Sequence, residues 1–284
     1  MGQDLTPAHF DDLLLRALRE DAPYGDKTSL ALSLEGRVLG RITAKQALVV
    51  CGLPVALRTF ELADPACIVR AETAEGLAVS AGDVIAVVEG PAAALLLAER
   101  TALNLLQHLC GVATATRAAV EAVSGTPARI VDTRKTLPGL RTLEKYAVRT
   151  GGGWNHRMGL SDGILIKENH IAAAGGSPAE AVRRAKAACG ALWRVEVEVR
   201  DLEEYGQVLD AGADVVLLDN MTVEDMARAA AERRPGVLLE ASGNMTLERL
   251  PSVAATGVDL ISMGALTHSV HAADLSFGIE AVGT

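Results

Sequence analysis

Residues 193–220 read WRVEVEVRDLEEYGQVLDAGADVVLLDN. Two short runs rich in Val and Leu, WRVEVEV (193–199) and DVVLL (214–218), flank DLEEYGQVLDAG, which opens on Asp201 and closes on Gly212. An Asp before the periodic stretch and a Gly after it are start and stop signals of a helix, and the flanking runs have the length and residue types of strands. Strand, helix, strand at this spacing is one βα unit, which demands parallel strands joined by a crossover.

The same rhythm extends in both directions. Apolar runs ARIVD (128–132), GILI (163–166), VLLE (237–240) and VDLIS (258–262) alternate with SPAEAVRRAKAACG, TVEDMARAAAERRPG and TLERLPSVAATG, each helix-like stretch opened by Ser or Thr and closed by Gly. Six strands, with room for a seventh, are fewer than a closed eight-stranded barrel needs, so the pattern predicts an open, incomplete α/β barrel. A dinucleotide-binding sheet is not supported: no strand leads into a GxGxxG turn, and Gly151–Gly153 follow a helix-like stretch.

The first hundred residues differ in character. RITAKQALVVCG, AEGLAVSAGDVIAVVEG and PAAALLLAER suggest strands and turns followed by a helix. We therefore expect an α+β layer over 1–106 beside an open α/β barrel over 107–270, followed by a tail over 271–284. A helical stretch, Glu99 to Gly125, joins the two regimes. AEGLAVSAGDVIAVVEG is similar to the hairpins of biotinyl or lipoyl carriers, but the turn SAGD lacks the lysine a carrier must present, so the stretch reads as scaffold.

A formal charge of -9 and a pI near 5.2 argue against a nucleic-acid or membrane-surface role, because polyanions are repelled. The start is acidic and amphipathic and reads as a helix rather than a secretory signal, and no run of about 18 apolar residues suggests a membrane span. Four cysteines are scattered without metal-ligand spacing, the pattern of free thiols in a reducing cytoplasm. Residues 133–170 break the acidic pattern, with seven Lys or Arg against three acids, while the rest of the chain carries 20 against 33. Such an island suits a small polyanion, since attraction stays local; its plain alternative is a solvated basic helix face.

In βα barrels functional side chains project from the C-terminal strand ends. Here those ends offer Thr133, Arg134 and Lys135 after Asp132, then Lys167, Glu198 and Asp219, then Ser242, Gly243 and Asn244, and last Gly264, Ala265 and His268. Each has a plainer reading as well. Glu196 and Glu198 share a strand face, so either can be a buried partner of an arginine. Asp219 can cap the next helix, although Thr222 is better placed. His9, His108 and His271 read as surface or packing residues, His170 as a loop-orienting one, and no His pair has zinc spacing. The glycine-containing ASGNM and SMGAL follow the last two strands, where barrels commonly hold a phosphate on backbone N–H groups.

DTRKTLPGLRTLEKYAVRTGGGWNHRMGLSDGILIKENHI (132–171) resembles the central signature of the quinolinate phosphoribosyltransferase family, the carboxylating nicotinate-nucleotide pyrophosphorylases. EDAPYGDKTS, ERTALNLLQHLCGVAT, VEVEV, LLDN, EASGNM and GALTHS extend the likeness along nearly the whole chain. The resemblance implies transfer of phosphoribosyl from phosphoribosyl pyrophosphate to quinolinate with Mg²⁺, giving nicotinate mononucleotide, pyrophosphate and CO₂ in de novo NAD synthesis. It implies an N-terminal α/β sandwich domain over 1–106, with the tail 271–284 packed on it, beside an open α/β barrel catalytic domain over 107–270, and a homodimer in which Arg100 completes the neighbouring subunit's site. Arg100, Arg134, His156 and Arg157 would grip the quinolinate carboxylates, as planar guanidinium forks suit them. Lys135 and Lys167 would meet the pyrophosphate and the reacting region, and Thr133 would line the same site. Glu198 and Asp219 would hold ribose hydroxyls and the metal, directly or through water. Ser242, Gly243, Asn244, Gly264, Ala265 and His268 would receive the 5′-phosphate.

Three positions depart from the family pattern: Ala241 stands where a second serine is common, Asn244 where glycine is frequent, and Arg200 where an acid or amide is usual. EDAPYGD is also similar to paralogues associated with molybdenum transport genes, with a different anionic acceptor. Those paralogues lose the NHR triplet and the IKENH lysine, and this chain keeps both.

Overall fold

A computed structural model describes residues 5–281. The chain forms two compact units, neither continuous in sequence. One holds the residues up to Arg117, Leu137–Gly152 and those from Ser269 on; the other holds Ala118–Thr136 and Gly153–His268. Residues 1–4 and 282–284, which fall within the expected first domain and tail, lie outside the described residues.

The first unit contains β1 (Arg37–Ala44), β2 (Leu48–Val49), β3 (Ile68–Ala71), β4 (Ala78–Val79) and β5 (Val84–Pro91). β5 runs antiparallel between β1 and β3. Ile42 and Ala44 of β1 and Ala86 and Val88 of β5, alternate residues of each strand, enter a core with Phe60 of the helix Leu53–Ala63 and Leu95, Ala102 and Leu106 of the helix Ala92–Ala122. Each such aliphatic side chain withdrawn from water contributes about 1.5–3 kcal/mol.

The helix Arg141–Thr150 belongs to this unit although it lies inside the stretch read as barrel. Tyr146 donates its hydroxyl to Glu75 at 2.8 Å, and the same carboxylate caps the helix Leu53–Ala63 through the N–H groups of Gly52 and Leu53. Gly151 closes the packing, since a Cβ there would stand 2.5 Å from the Ala113 carbonyl oxygen.

The second unit carries six parallel strands: β6 (Arg129–Val131), β7 (Ile164–Ile166), β8 (Val195–Val199), β9 (Val215–Asp219), β10 (Leu238–Ser242) and β11 (Leu260–Ser262). Their order is β6-β11-β10-β9-β8-β7. A closed barrel would pair the first strand with both the last and the second; here β6 pairs with β11 but not with β7, so the ring is cut between them. The edge left on β6 is covered by one parallel bridge from Val131 to Trp154, whose N–H donates to the Ile130 carbonyl at 2.8 Å. Arg129 lies over the Trp154 ring at 3.7 Å, a cation–π contact that further covers the edge.

The last strand, β12 (Leu275–Ala281), returns to the first unit and pairs antiparallel with β1, Phe277 opposite Ile42. Among the described residues no helix is long and apolar enough to cross a membrane.

Candidate active site

Strands β8 and β9 are buried along almost their whole length, so polar groups gather where they end. Register sets those ends level: Glu198 lies beside Leu217, and Asp219 beside Ser242. The result is a pocket of about 290 Å³ lined by Thr133, Arg134, Lys135, His156, Arg157, Leu165, Lys167, Glu198, Leu217, Asp219, Glu240, Ser242 and Ser262. Nine of the residues singled out from the sequence meet there.

The cationic wall is held from behind. Asp132, fully buried at the end of β6, accepts from the Asn155 amide and from the His156 N–H at 2.9 Å. Arg157 donates to the Gly163 carbonyl at 2.9 Å. Burial pulls the Arg157 pKa down and the neighbouring Arg134 charge adds to it, the electrostatics of two guanidiniums facing one pocket. Lys135 has its N–H on Thr133 Oγ1 at 2.9 Å, and its carbonyl accepts from the Thr267 hydroxyl at 2.7 Å.

Opposite, Lys167 Nζ lies 2.6 Å from Glu198 Oε2. His170 Nδ1 accepts the Lys167 N–H at 3.0 Å, which gives His170 its loop-orienting place. Asp219 accepts from the Asn220 amide at 3.0 Å, and the helix cap is Thr222, whose hydroxyl accepts from Asp225 N–H. Arg200, without a role in the sequence reading, is a surface residue paired with Glu204 at 2.7 Å and Glu168 at 3.4 Å.

The remaining predicted residues are not in the pocket lining. Gly243 and Asn244 follow β10, and the Asn244 side-chain amide donates to Asn220 Oδ1 at 3.1 Å. Gly264 leaves room for two neighbours: a Cβ there would stand 2.9 Å from Lys135 Cδ and 3.0 Å from His268 Nε2. Ala265 and His268 begin and end a short helix after β11. Arg100, on the helix Ala92–Ala122 of the first unit, is exposed, with Glu99 at 3.9 Å.

Two buried acids extend the site. His156 Nε2 lies 2.9 Å from Glu196 Oε2 and 3.5 Å from Glu240 Oε2. Glu196 is therefore a buried partner, but of a histidine. Glu240 went unremarked in the sequence, although strand parity places it on the same face as Ser242, a signal sufficient to find it.

An open α/β barrel whose mouth joins guanidiniums, lysines and carboxylates defines an enzyme acting on small polyanions. The quinolinate phosphoribosyl transferase N-terminal domain matches residues 26–110, and the C-terminal domain of the same description matches 112–278. The nicotinate-nucleotide pyrophosphorylase [carboxylating] of Mycobacterium leprae is 44% identical over 97% of this chain and 100% of its own length. A probable enzyme of that name from Bacillus subtilis is 44% identical, covering 94% of this chain and 92% of its own. The crystal structure of NadC from Streptococcus pyogenes superposes with a TM-score of 0.93 at 39% identity, over 99% of this chain and 100% of that one. The nicotinate-nucleotide pyrophosphorylase from Francisella tularensis gives a TM-score of 0.91 at 37% identity, with 98% of each chain covered. The chain belongs to the quinolinate phosphoribosyltransferase family.

Proposed function

We propose that the protein transfers the phosphoribosyl group of phosphoribosyl pyrophosphate to quinolinate and releases CO₂ and pyrophosphate, forming nicotinate mononucleotide for NAD synthesis. Family membership over both domains supports the chemistry. The observation that carries the substrate assignment is the shared pocket, whose lining joins Arg134, Arg157 and His156 to Lys167, Glu198 and Asp219. A molybdenum-associated paralogue is not favoured, because the relatives are carboxylating pyrophosphorylases and His156, Arg157 and Lys167 line the pocket.

In this reading Arg134, Arg157 and His156 bind the two acceptor carboxylates and aim the ring nitrogen at C1 of the ribose. Lys135 and Lys167, with Thr133 beside them, receive the pyrophosphate. Ser242, Gly243, Asn244, Gly264, Ala265 and His268 hold the 5′-phosphate. As the C1–oxygen bond breaks, Glu198 and Asp219 face the oxocarbenium charge with carboxylates already in place. Ribosylation makes the ring nitrogen cationic; the C2 carboxylate then leaves as CO₂, its electron pair is stabilised by that nitrogen, and a proton takes its place.

Glu198 and Asp219 offer hard oxygen donors on neighbouring strand ends, a donor set that fits Mg²⁺. The ion would be held by them directly or through water, and when bound it supplies charge neutralisation for the departing pyrophosphate. A homodimer, with Arg100 supplied to the neighbour's acceptor site, completes the proposal.

The test is mononucleotide formation by purified protein with quinolinate, phosphoribosyl pyrophosphate and Mg²⁺, with one CO₂ released per turnover. Nicotinate serving better than quinolinate would overturn the two-carboxylate assignment.

A further inference from the structure

Two acids lie beneath a pocket that the preceding reading gives to an anion. Glu196 on β8 and Glu240 on β10 come from strands separated by β9, yet both carboxylates converge on the His156 ring, at 2.9 Å and 3.5 Å from Nε2. Their side chains are 9% and 1% exposed, and Glu196 Oε1 and Glu240 Oε2 have no hydrogen-bond partner. Buried like charges are costly unless a cation stands between them, and bare carboxylates under the pocket would repel an acceptor that is itself a dicarboxylate.

We propose that Glu196 and Glu240 are positioning residues for the acceptor half of the site: they hold His156 as an imidazolium beside the pocket, so that an aromatic dicarboxylate meets cations rather than acids. The assignment rests on the phosphoribosyl-transfer reading. The charged groups around the ring are Glu196, Glu240 and Arg157, with Asp132 on the His156 main chain and Arg134 in the same pocket lining. Burial by itself pulls His156 down, but the close contact with Glu196 and the charges of both glutamates push it up to about 10. His156 Nδ1 also faces the Arg157 N–H at 2.7 Å, a contact that favours the neutral ring. Two carboxylates in a water-poor site outweigh one contact to the adjacent residue, so the ring is charged at neutral pH.

The experiment compares wild type with Glu240→Gln, Glu196→Gln and Glu240→Asp. Calorimetric affinities for quinolinate without divalent cations, and separately for phosphoribosyl pyrophosphate with Mg²⁺, are measured from pH 6.5 to 9, alongside the imidazole ¹⁵N signals of His156. Wild type should bind quinolinate with little change across this window and show a doubly protonated ring at pH 7.5. Glu240→Gln should weaken quinolinate about tenfold or more at pH 8 and less at pH 6.5, leave phosphoribosyl pyrophosphate within about twofold, and let the ring titrate near neutrality. Glu240→Asp should recover part of the loss. Equal losses for both ligands, a pH-independent loss, or a neutral ring in wild type would overturn the assignment. So would quinolinate binding that requires a divalent cation, because the three side chains offer ligand atoms within 4.8 Å of one another. The wild-type imidazole signal tests the cradle even if a variant fails to fold. Wild type that binds no quinolinate but shows a charged ring would sink the functional reading and leave the cradle standing.

Discussion

At residue scale the turn proposed to hold the 5′-phosphate depends on a place where a side chain is missing. Gly243 has φ +93, and a Cβ on it would stand 2.2 Å from Asn220 Oδ1, the atom that accepts from Asn244. Asn220 and Asn244 themselves have φ 55 and φ 47, so three left-handed residues interlock after β9 and β10. A methyl group at 243 adds left-handed strain of roughly 1–3 kcal/mol and pushes Asn220 off its partner. Gly243→Ala should therefore lower the thermal midpoint by a few degrees, at about 2–4 °C per kcal/mol for a chain of this order of size. It should also raise KM for phosphoribosyl pyrophosphate several-fold while leaving that for quinolinate nearly unchanged. Scanning calorimetry and steady-state kinetics read the two effects; an unchanged midpoint with an unchanged KM would show that neither the turn nor the phosphate depends on this glycine.

At the scale of elements, the strands were legible because a parallel strand covered on both faces must be a short apolar run ending at its polar tip. VEVEV appears as Val195–Val199 and DVVLL as Val215–Asp219, with the chemistry at the last residues. What sequence could not supply was partnership across strands. Glu196 and Glu198 have the same parity, yet Glu196 is buried against His156 and Glu198 meets Lys167 at the mouth. Those partners come from segments remote in sequence, and only the register of the sheet decides between them. What the glycine run admits is likewise set by remote segments: Gly151 admits the Ala113 carbonyl and Thr116 of a helix, while Gly152 takes the left-handed turn at φ +99. The helix Arg141–Thr150 escaped its assignment for a similar reason, because Tyr146 and Gly151 bind it to residues far upstream.

At the scale of the whole molecule, burial sorts the thiols. Cys51, Cys67 and Cys110 are buried and Cys189 is partly exposed. Burial pushes the Cys51 pKa well up, Cys110 to about 12, and Cys67 upward. The thiolate is the reactive form, so these three are both shielded and protonated. A native-state titration with a chromogenic disulfide should find one fast thiol, abolished by Cys189→Ser, and four after denaturation; two or more fast thiols would contradict the packing of the first unit's core.

Arg100 raises the remaining question at this scale. Its side chain is 59% exposed and its ion pair with Glu99 is long at 3.9 Å, a geometry that contributes little to stability. A guanidinium kept at that exposure, outside the lining of its own chain's pocket, suits delivery to a second copy. If Arg100 acts there, Arg100→Ala and Lys167→Ala chains are each inactive alone, because every site in either homodimer lacks one group. Mixed and allowed to exchange, they form heterodimers in which one site lacks both groups and the other lacks neither. At equal concentrations random pairing makes half of the dimers mixed, so about a quarter of the wild-type sites should reappear. Activity that grows with the rate of subunit exchange toward that limit is the expected result. Absence of recovery, with exchange verified by a mass difference between the chains, would assign Arg100 to its own subunit or to packing alone.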